Sequence, residues 1–415
     1  MNKLRRITAL VLCLLMSAAL PLSLTGCSGS ADIAADDLMD GVAPRDVSTA
    51  PPDGQFSAGA AEFAVGLLKQ CMSADNMLIS PTSVMLALAM TANGASGETL
   101  EQLETALGMD IGSLNAYLAE YSAGLDSSGS LKSANSIWFL DDLDKVTVDG
   151  NFLQTNADYF GADVYKAPFD EQTVKDINTW VSDRTDKMVE DILDNISDEA
   201  IMYLVNALAF DAEWEKTYTT NDLYDGKFFP LSGGETSAKM MSSKESLYLS
   251  DNGAAGFVKP YKDGRFSFAA LLPDSGVSLE EYVGSLTGER LLSIIRNAEE
   301  TTVYTAMPKF SFGYSVELSD ALKALGVTTA FSDQADFSRM ATVTDGYICI
   351  GRVLHKTYIS VDELGTKAGA ATVVEMVNET AMMDTKYVTL DRPFLFAIID
   401  NETSLPVFLG TVTGL

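Results

Sequence analysis

The sequence predicts one large α+β domain. Helical spacing of apolar residues dominates the first half of the 415-residue chain, whereas short apolar and aromatic strands dominate the second half. No repeat is present and no low-complexity linker separates the halves, so one fold is expected to contain both kinds of element. Apolar residues make up 47% of the chain, which is enough for a large core.

Two turn residues mark helix boundaries in the first half. Ser80 can cap a helix that has Pro81 in its first turn, and Gly108 follows the last residue of another. Helices are predicted over 57–72, from Pro81, and over 100–107, 114–125, 152–160, 174–193, 279–283, 289–296 and 316–325. Strands are predicted over 134–140 and 202–210, within 227–272, over 301–307 and after residue 347.

The N-terminus has the pattern of an export signal. A basic head precedes a short apolar run over 7–20, and Leu24–Cys27 resembles the bacterial lipobox, which is cut just before its cysteine. An ordinary secretory signal with a chance cysteine is the alternative. We expect a lipoprotein signal peptide over 1–26, a flexible tether over 27–55 and a folded domain over 56–415.

Lipid attachment at Cys27 would place the protein on the extracytoplasmic face of the cell membrane, with the lipid as its only membrane contact. The protein is expected to be a monomer. Cys71 and Cys349 lie among apolar residues, which favours two buried free thiols over a disulfide.

The formal net charge of −30 argues against two classes of polyanionic partner. So acidic a surface repels nucleic acid and heparin-like polymers. We therefore expect no nucleic-acid binding and no activation by heparin.

The sequence shows no active-site motif. His355 is the only histidine, no serine lies in a Gly-x-Ser-x-Gly elbow, and neither Cys-x-x-Cys nor a phosphate-binding glycine loop is present. No enzymatic activity, metal or cofactor is therefore expected. We interpret His355 as a hydrogen-bonded core residue, with a hydrolase that uses it as a competing hypothesis.

The stretch 361–374 fits two kinds of structure. Its Thr, Ala and Gly residues are too small to anchor a core, which is typical of an exposed loop. Alternation along the stretch nevertheless places small or β-branched residues on one side, as in a strand. Such a segment is a candidate bistable element.

Nine further segments carry a family resemblance over about residues 56–415: the chain resembles a serpin. The matching segments are Asn76–Ser83, Asn93–Thr99, Ile177–Val181, Asn206–Trp214, Met307–Phe310, Ala335–Ser338, His355–Lys356, Arg392–Phe394 and Phe408–Gly410. The resemblance implies an α+β serpin fold of about nine helices around three β-sheets, with an exposed reactive-centre loop.

The resemblance also implies roles for individual residues. Trp214 matches the breach, where loop insertion starts, and Lys367 departs from the family pattern in the hinge but points outward by alternation. The shutter, a hydrogen-bonded cluster beneath the sheet, is matched by Ser80, Ser83, Asn206 and His355. The hinge is matched by Glu363, Gly365, Thr366, Ala368, Ala370 and Thr372.

The implied function is suicide inhibition of serine proteases. The bond attacked is Glu379–Thr380 when counted from the hinge and Met382–Met383 when counted back from Pro393, with Val377–Asn378 a lesser alternative. The first would suit a glutamate-specific protease; the second would suit elastase-, chymotrypsin- or subtilisin-like enzymes. The alternative function is a non-inhibitory serpin-fold surface lipoprotein that binds a ligand or partner.

Overall fold

A computed structural model of the chain describes residues 33–141, 146–196, 200–344, 346–366 and 385–415. Within it, Ile33–Leu415 form one compact unit. The predicted signal peptide, Cys27, the hinge residues after Thr366 and all three candidate reactive bonds lie outside the described residues.

The described residues include nine α-helices. They are α1 (Gly54–Cys71), α2 (Pro81–Ala92), α3 (Gly97–Leu107), α4 (Ile111–Asp126), α5 (Gly150–Phe160), α6 (Glu171–Arg184), α7 (Leu279–Ser285), α8 (Gly288–Arg296) and α9 (Ser319–Ala324). The Ser80 side chain caps α2 by accepting from the Ser83 amide, as the sequence predicts. None of these nine helices is long and apolar enough to cross a membrane.

Nineteen strands accompany these helices in the described part of the chain. They are β1 (Asp36–Asp37), β2 (Met77–Ile79), β3 (Leu131–Leu140), β4 (Val146–Val148), β5 (Asp163–Ala167), β6 (Met202–Phe210), β7 (Ala212–Glu213), β8 (Leu223–Phe228), β9 (Thr236–Asp251), β10 (Ala254–Pro260), β11 (Phe266–Pro273), β12 (Glu299–Pro308), β13 (Phe310–Glu317), β14 (Ala341–Val343), β15 (Arg352–Val361), β16 (Gly365–Thr366), β17 (Lys386–Thr389), β18 (Phe394–Asp400) and β19 (Pro406–Val412).

These strands form three sheets. The central sheet has the order β1-β5-β3-β6-β15, with β13 on the far side of β15 and with β16 and β7 at one end. The second sheet runs β17-β12-β9-β10-β11-β18-β19-β2, with β8 beside β9. The third consists of β14 and β4.

The central sheet is covered on both faces. On one face, every residue of α2 is buried, because this helix lies between β6 of the central sheet and β19 of the second sheet and contacts both. On the other face, α6 buries Ile177, Trp180 and Val181 in a cluster that also contains Trp138 and Tyr165. Burial on both faces explains why β6 is apolar at every position except Asn206.

Residues 33–53 differ from the predicted flexible tether. Asp36 and Asp37 pair with Lys166 and Tyr165 as an edge strand of the central sheet. Farther along, the Arg45 guanidinium donates to the Asp158 carboxylate, with Nη2 and Oδ2 2.6 Å apart. The tether prediction is therefore wrong for this part of the chain, because specific hydrogen bonds fix a segment whose composition alone indicates flexibility.

The two described cysteines are free thiols, as expected. Cys71 is buried, and burial raises the pKa of its thiol to about 12. Cys349 is only half-buried, so the expectation of full burial is wrong there.

Asp176 connects the N-terminal segment to α6. One of its carboxylate oxygens accepts from the backbone amides of Ala34 and Ala35, at 3.0 and 2.9 Å. We predict that Asp176→Ala lowers the free energy of unfolding in urea by about 1–3 kcal/mol, because two amides lose their acceptor. Lys175→Ala, an exposed change on the same helix, is the control. Equal stability of the two variants would show that the hydrogen bonds from Ala34 and Ala35 to Asp176 contribute nothing to stability.

Candidate functional site

The centre of the central sheet contains two parallel strands in direct contact. Strand β15 pairs with β6 from Arg352↔Tyr203 to Thr357↔Leu208. Beyond Thr357 no further direct pair joins them, although β15 continues to Val361. We call the paired part the seam and the part beyond it the gap.

The start of the predicted hinge lies inside this gap. Strand β16 pairs antiparallel with β15 through Val361↔Thr366. It also pairs antiparallel with β7 through Gly365↔Glu213 and Thr366↔Ala212. Two hinge residues are thus already placed as the first residues of a new strand between β7 and β15, instead of lying in an exposed loop.

Both of these hinge residues fit the gap closely. A β-carbon at Gly365 would collide with the Ala212 carbonyl oxygen, so the close approach of β7 requires glycine. Thr366 is buried, and its hydroxyl lies 2.6 Å from the Tyr261 hydroxyl. The alternation in the sequence correctly predicts that Thr366 points inward.

Aromatic and backbone contacts fix the turn that precedes β16. The Trp214 ring stacks on Tyr261, with centroids 4.5 Å apart and planes 11° apart. The Trp214 indole N–H donates to the Asp362 carbonyl oxygen, and its amide donates to the Leu364 carbonyl oxygen, both at 2.9 Å. The Tyr218 amide donates to the Glu363 carbonyl oxygen, also at 2.9 Å.

An ion pair joins the same turn to the connection between β12 and β13. Lys309, between β12 and β13, donates to the carboxylate of Glu363. This hydrogen bond lowers the pKa of the Glu363 carboxyl. Sequence analysis did not identify Lys309, although it lies within the Met307–Phe310 motif.

A second polar cluster crosses the seam and joins it to the start of α2. His355 of β15 lies opposite Asn206 of β6 in the register, and its Nδ1 lies 2.6 Å from Asn206 Oδ1. The Ser80 amide donates to His355 Nε2 at 3.0 Å. The Asn206 amide group donates to Ser83 Oγ and to Asn135 Oδ1. All four predicted shutter residues therefore lie in one network, which also includes Asn135.

These bonds determine the state of the imidazole. Nε2 accepts from an amide, so the proton of the neutral ring lies on Nδ1 and is donated to Asn206. Burial lowers the pKa of His355 to about 3, which keeps the ring neutral. The Ser80 hydroxyl instead donates to the Val407 carbonyl oxygen at 2.9 Å. The network thus contains no hydrogen bond from a serine hydroxyl to the imidazole, which is the contact that a hydrolase needs.

Sequence analysis missed three partners in these two clusters: Asn135, Tyr261 and Lys309. Each is an ordinary member of a strand or turn in the sequence, and only the fold places it beside a predicted residue. The structure describes the hinge only through Thr366, so Ala368, Ala370 and Thr372 lie outside it.

The depressed pKa of His355 predicts a pH dependence of stability. Below pH 6.5 the unfolded chain binds a proton that the folded chain does not bind until about pH 3. The free energy of unfolding should therefore fall as the pH falls from 6.5, by up to about 1.4 kcal/mol per pH unit. Urea unfolding between pH 7 and 5 would measure it.

His355→Gln is the matched variant, because glutamine is polar and does not titrate. Its unfolding free energy should change less between pH 7 and 5. If the two curves run parallel, His355 is not the group responsible.

Comparison with known proteins agrees with this architecture. A family model described as "Serpin (serine protease inhibitor)" matches residues 58–415. A serine protease inhibitor of Cyanea capillata is 30% identical over 353 residues, which cover 82% of this chain and 92% of that protein.

Two solved structures of the thermophilic serpin tengpin are also similar, each at 45% identity. The native state gives a TM-score of 0.88 over 92% of this chain and all of that one. The latent state gives 0.78 over 88% of this chain and all of that one. These likenesses confirm the predicted α+β fold of nine helices and three sheets in the described residues. Together with the family match from residue 58 to 415, they show that the chain belongs to the serpin family.

Proposed function

We propose that this chain inhibits serine proteases by inserting its cleaved reactive loop into the central sheet. The observation that carries the proposal is the position of β16. Gly365 and Thr366 already occupy the gap between β7 and β15, while the seam just beyond them remains closed. This position supports the proposal, because a strand that grew from β16 would enter between β7 and β15.

The chemistry before insertion belongs to the protease. Its serine oxygen attacks the carbonyl carbon of the reactive bond, and the C–N bond breaks as the new amine takes a proton. This leaves the hinge side of the loop joined to the protease by an ester. Insertion of that segment would carry the protease along the sheet before water can cleave the ester.

Strand exchange supplies a driving force. The seam is a parallel pairing, and a strand that continues from β16 would be antiparallel to both of its neighbours. Antiparallel pairing is slightly more stable per residue than parallel pairing, and one set of backbone hydrogen bonds becomes two. Serpin loop insertion is an established case of such strand addition.

The His355 cluster supplies a barrier. The bond from His355 to Asn206 crosses the seam, so the strands can part only if this bond breaks or its partners move together. Buried polar groups that lose their partners cost free energy, which slows opening until the loop is cut. We infer that the native state persists for kinetic reasons.

The serpin itself would contribute no catalytic residue. The contacts of His355 support this, since the neutral ring donates to an amide oxygen and accepts from a backbone amide. Export and lipid attachment at Cys27 remain proposals that rest on the Leu24–Cys27 motif.

Incubation with a panel of proteases tests the proposal. The panel contains elastase-, chymotrypsin-, subtilisin-like and glutamate-specific enzymes, and we expect at least one complex that survives boiling in detergent. Mass analysis of the released C-terminal peptide would distinguish cleavage after Glu379 from cleavage after Met382. Cleavage of the loop by every enzyme without any complex would favour the non-inhibitory alternative.

Thr366→Arg should convert the inhibitor into a substrate. Thr366 is buried against Tyr261, so an arginine there cannot enter the gap and the strand cannot start. Gels should show cleaved chain in place of complex. Thr389→Arg, an exposed change on β17, should inhibit like the wild type. Unchanged inhibition by Thr366→Arg would refute the role of the hinge.

A further inference from the structure

A buried ion pair lies behind the residues that bind the hinge turn. Lys259 of β10 is 1% exposed and Glu245 of β9 is 8% exposed. The Lys259 Nζ lies 2.9 Å from Glu245 Oε1. Charges this deeply buried are stable only when paired, so these two side chains are mutually fixed.

The ammonium contacts the segment 214–218 at three points. Its nitrogen lies 4.4 Å from the centroid of the Tyr218 ring and 5.4 Å from that of Trp214. It also donates to the Lys216 carbonyl oxygen at 3.1 Å, between the two aromatic residues. Cation–π contacts are strongest where water is excluded, as it is around this ammonium.

The carboxylate extends the network to the tyrosine hydroxyl. The Ser243 hydroxyl donates to Glu245 Oε1 at 2.5 Å, and it lies 3.4 Å from the Tyr218 hydroxyl. It also lies 2.9 Å from the hydroxyl of Thr305 on β12. Tyr218 therefore contacts the ammonium through its ring and, more weakly, the Ser243 hydroxyl through its own hydroxyl.

The same segment 214–218 also binds the hinge turn. The amides of Trp214 and Tyr218 donate to the carbonyl oxygens of Leu364 and Glu363, respectively. Lys259 and Glu245 have no contact with the turn itself among the described interactions. Their contact with it runs through the two aromatic residues.

We propose that Lys259 and Glu245 are positioning residues that keep the hinge seated for insertion. The inference rests on the proposed function, because it concerns the step after the protease has formed its ester. That step is a race between strand insertion and hydrolysis of the ester. If the segment 214–218 were held less firmly, β16 would occupy the gap for less of the time. Hydrolysis of the ester would then precede insertion more often.

The test replaces both charges with apolar residues, in Lys259→Met/Glu245→Leu. Such a replacement of a buried ion pair is often neutral or stabilising, whereas removal of one partner is strongly destabilising. A purely structural role therefore predicts wild-type behaviour for a double variant with wild-type stability in urea. A positioning role predicts that the double variant traps the protease less often, although its stability equals that of the wild type.

The readout is the ratio of chains cleaved at the reactive bond to chains in stable complex, with the protease that the wild type inhibits. We expect this ratio to rise about fivefold to tenfold, the effect of about one lost hydrogen bond on a rate. The matched control is Lys227→Met/Glu235→Leu, which removes a 2.7 Å pair between β8 and the residue before β9, with side chains 60% and 56% exposed. Its ratio should equal that of the wild type.

Tyr218→Phe keeps the test valid if the double variant does not fold. It removes only the hydroxyl that contacts Ser243 and retains the ring on the ammonium, so a smaller rise in the same ratio is expected. Unchanged ratios in the folded variants would overturn the inference. Failure of the wild type to form any complex would instead refute the proposed function.

Discussion

The parallel contact between β6 and β15 is the constraint on which the rest of this structure depends. It closes the middle of the central sheet, yet it joins strands that could each pair with an inserted neighbour. The sheet is therefore closed along the seam, and under the proposed function it would accept one more strand there. Helix α2 supports the seam from one face, and β16 marks the place where the additional strand would enter.

Two polar clusters act on this seam in opposite ways. The cluster around His355 joins the paired strands to each other and to α2, so it favours the closed sheet. The cluster around Trp214 and Tyr261 instead binds the hinge turn and Thr366 within the gap, which under the proposed function would favour the start of insertion. Both are buried, where unpaired polar groups are costly, and each therefore has well-defined partners. The proposed metastable state would need both a barrier to insertion and a starting point for it, and these two clusters are the candidates.

Much of the fold could be predicted from local sequence. The cap at Ser80 and the strand Met202–Phe210 appear as expected, because capping chemistry and a mostly apolar run are local signals. The helix predicted over 316–325 is present as Ser319–Ala324, but its predicted start is wrong: β13 runs to Glu317, since short apolar runs fit either period. The shutter residues could be assigned to one cluster only through the resemblance to serpins. Asn135, Tyr261 and Lys309 could not be assigned at all, because tertiary contacts alone bring them to the site.

The most direct test of loop insertion is the thermal unfolding of the chain before and after one cut within residues 367–384. If the freed segment enters the central sheet, the parallel seam gives way to two antiparallel interfaces. The cut chain should then unfold at a distinctly higher temperature than the intact chain. A cut chain that unfolds at the same or a lower temperature would contradict the account, because the sheet would not have accepted the strand.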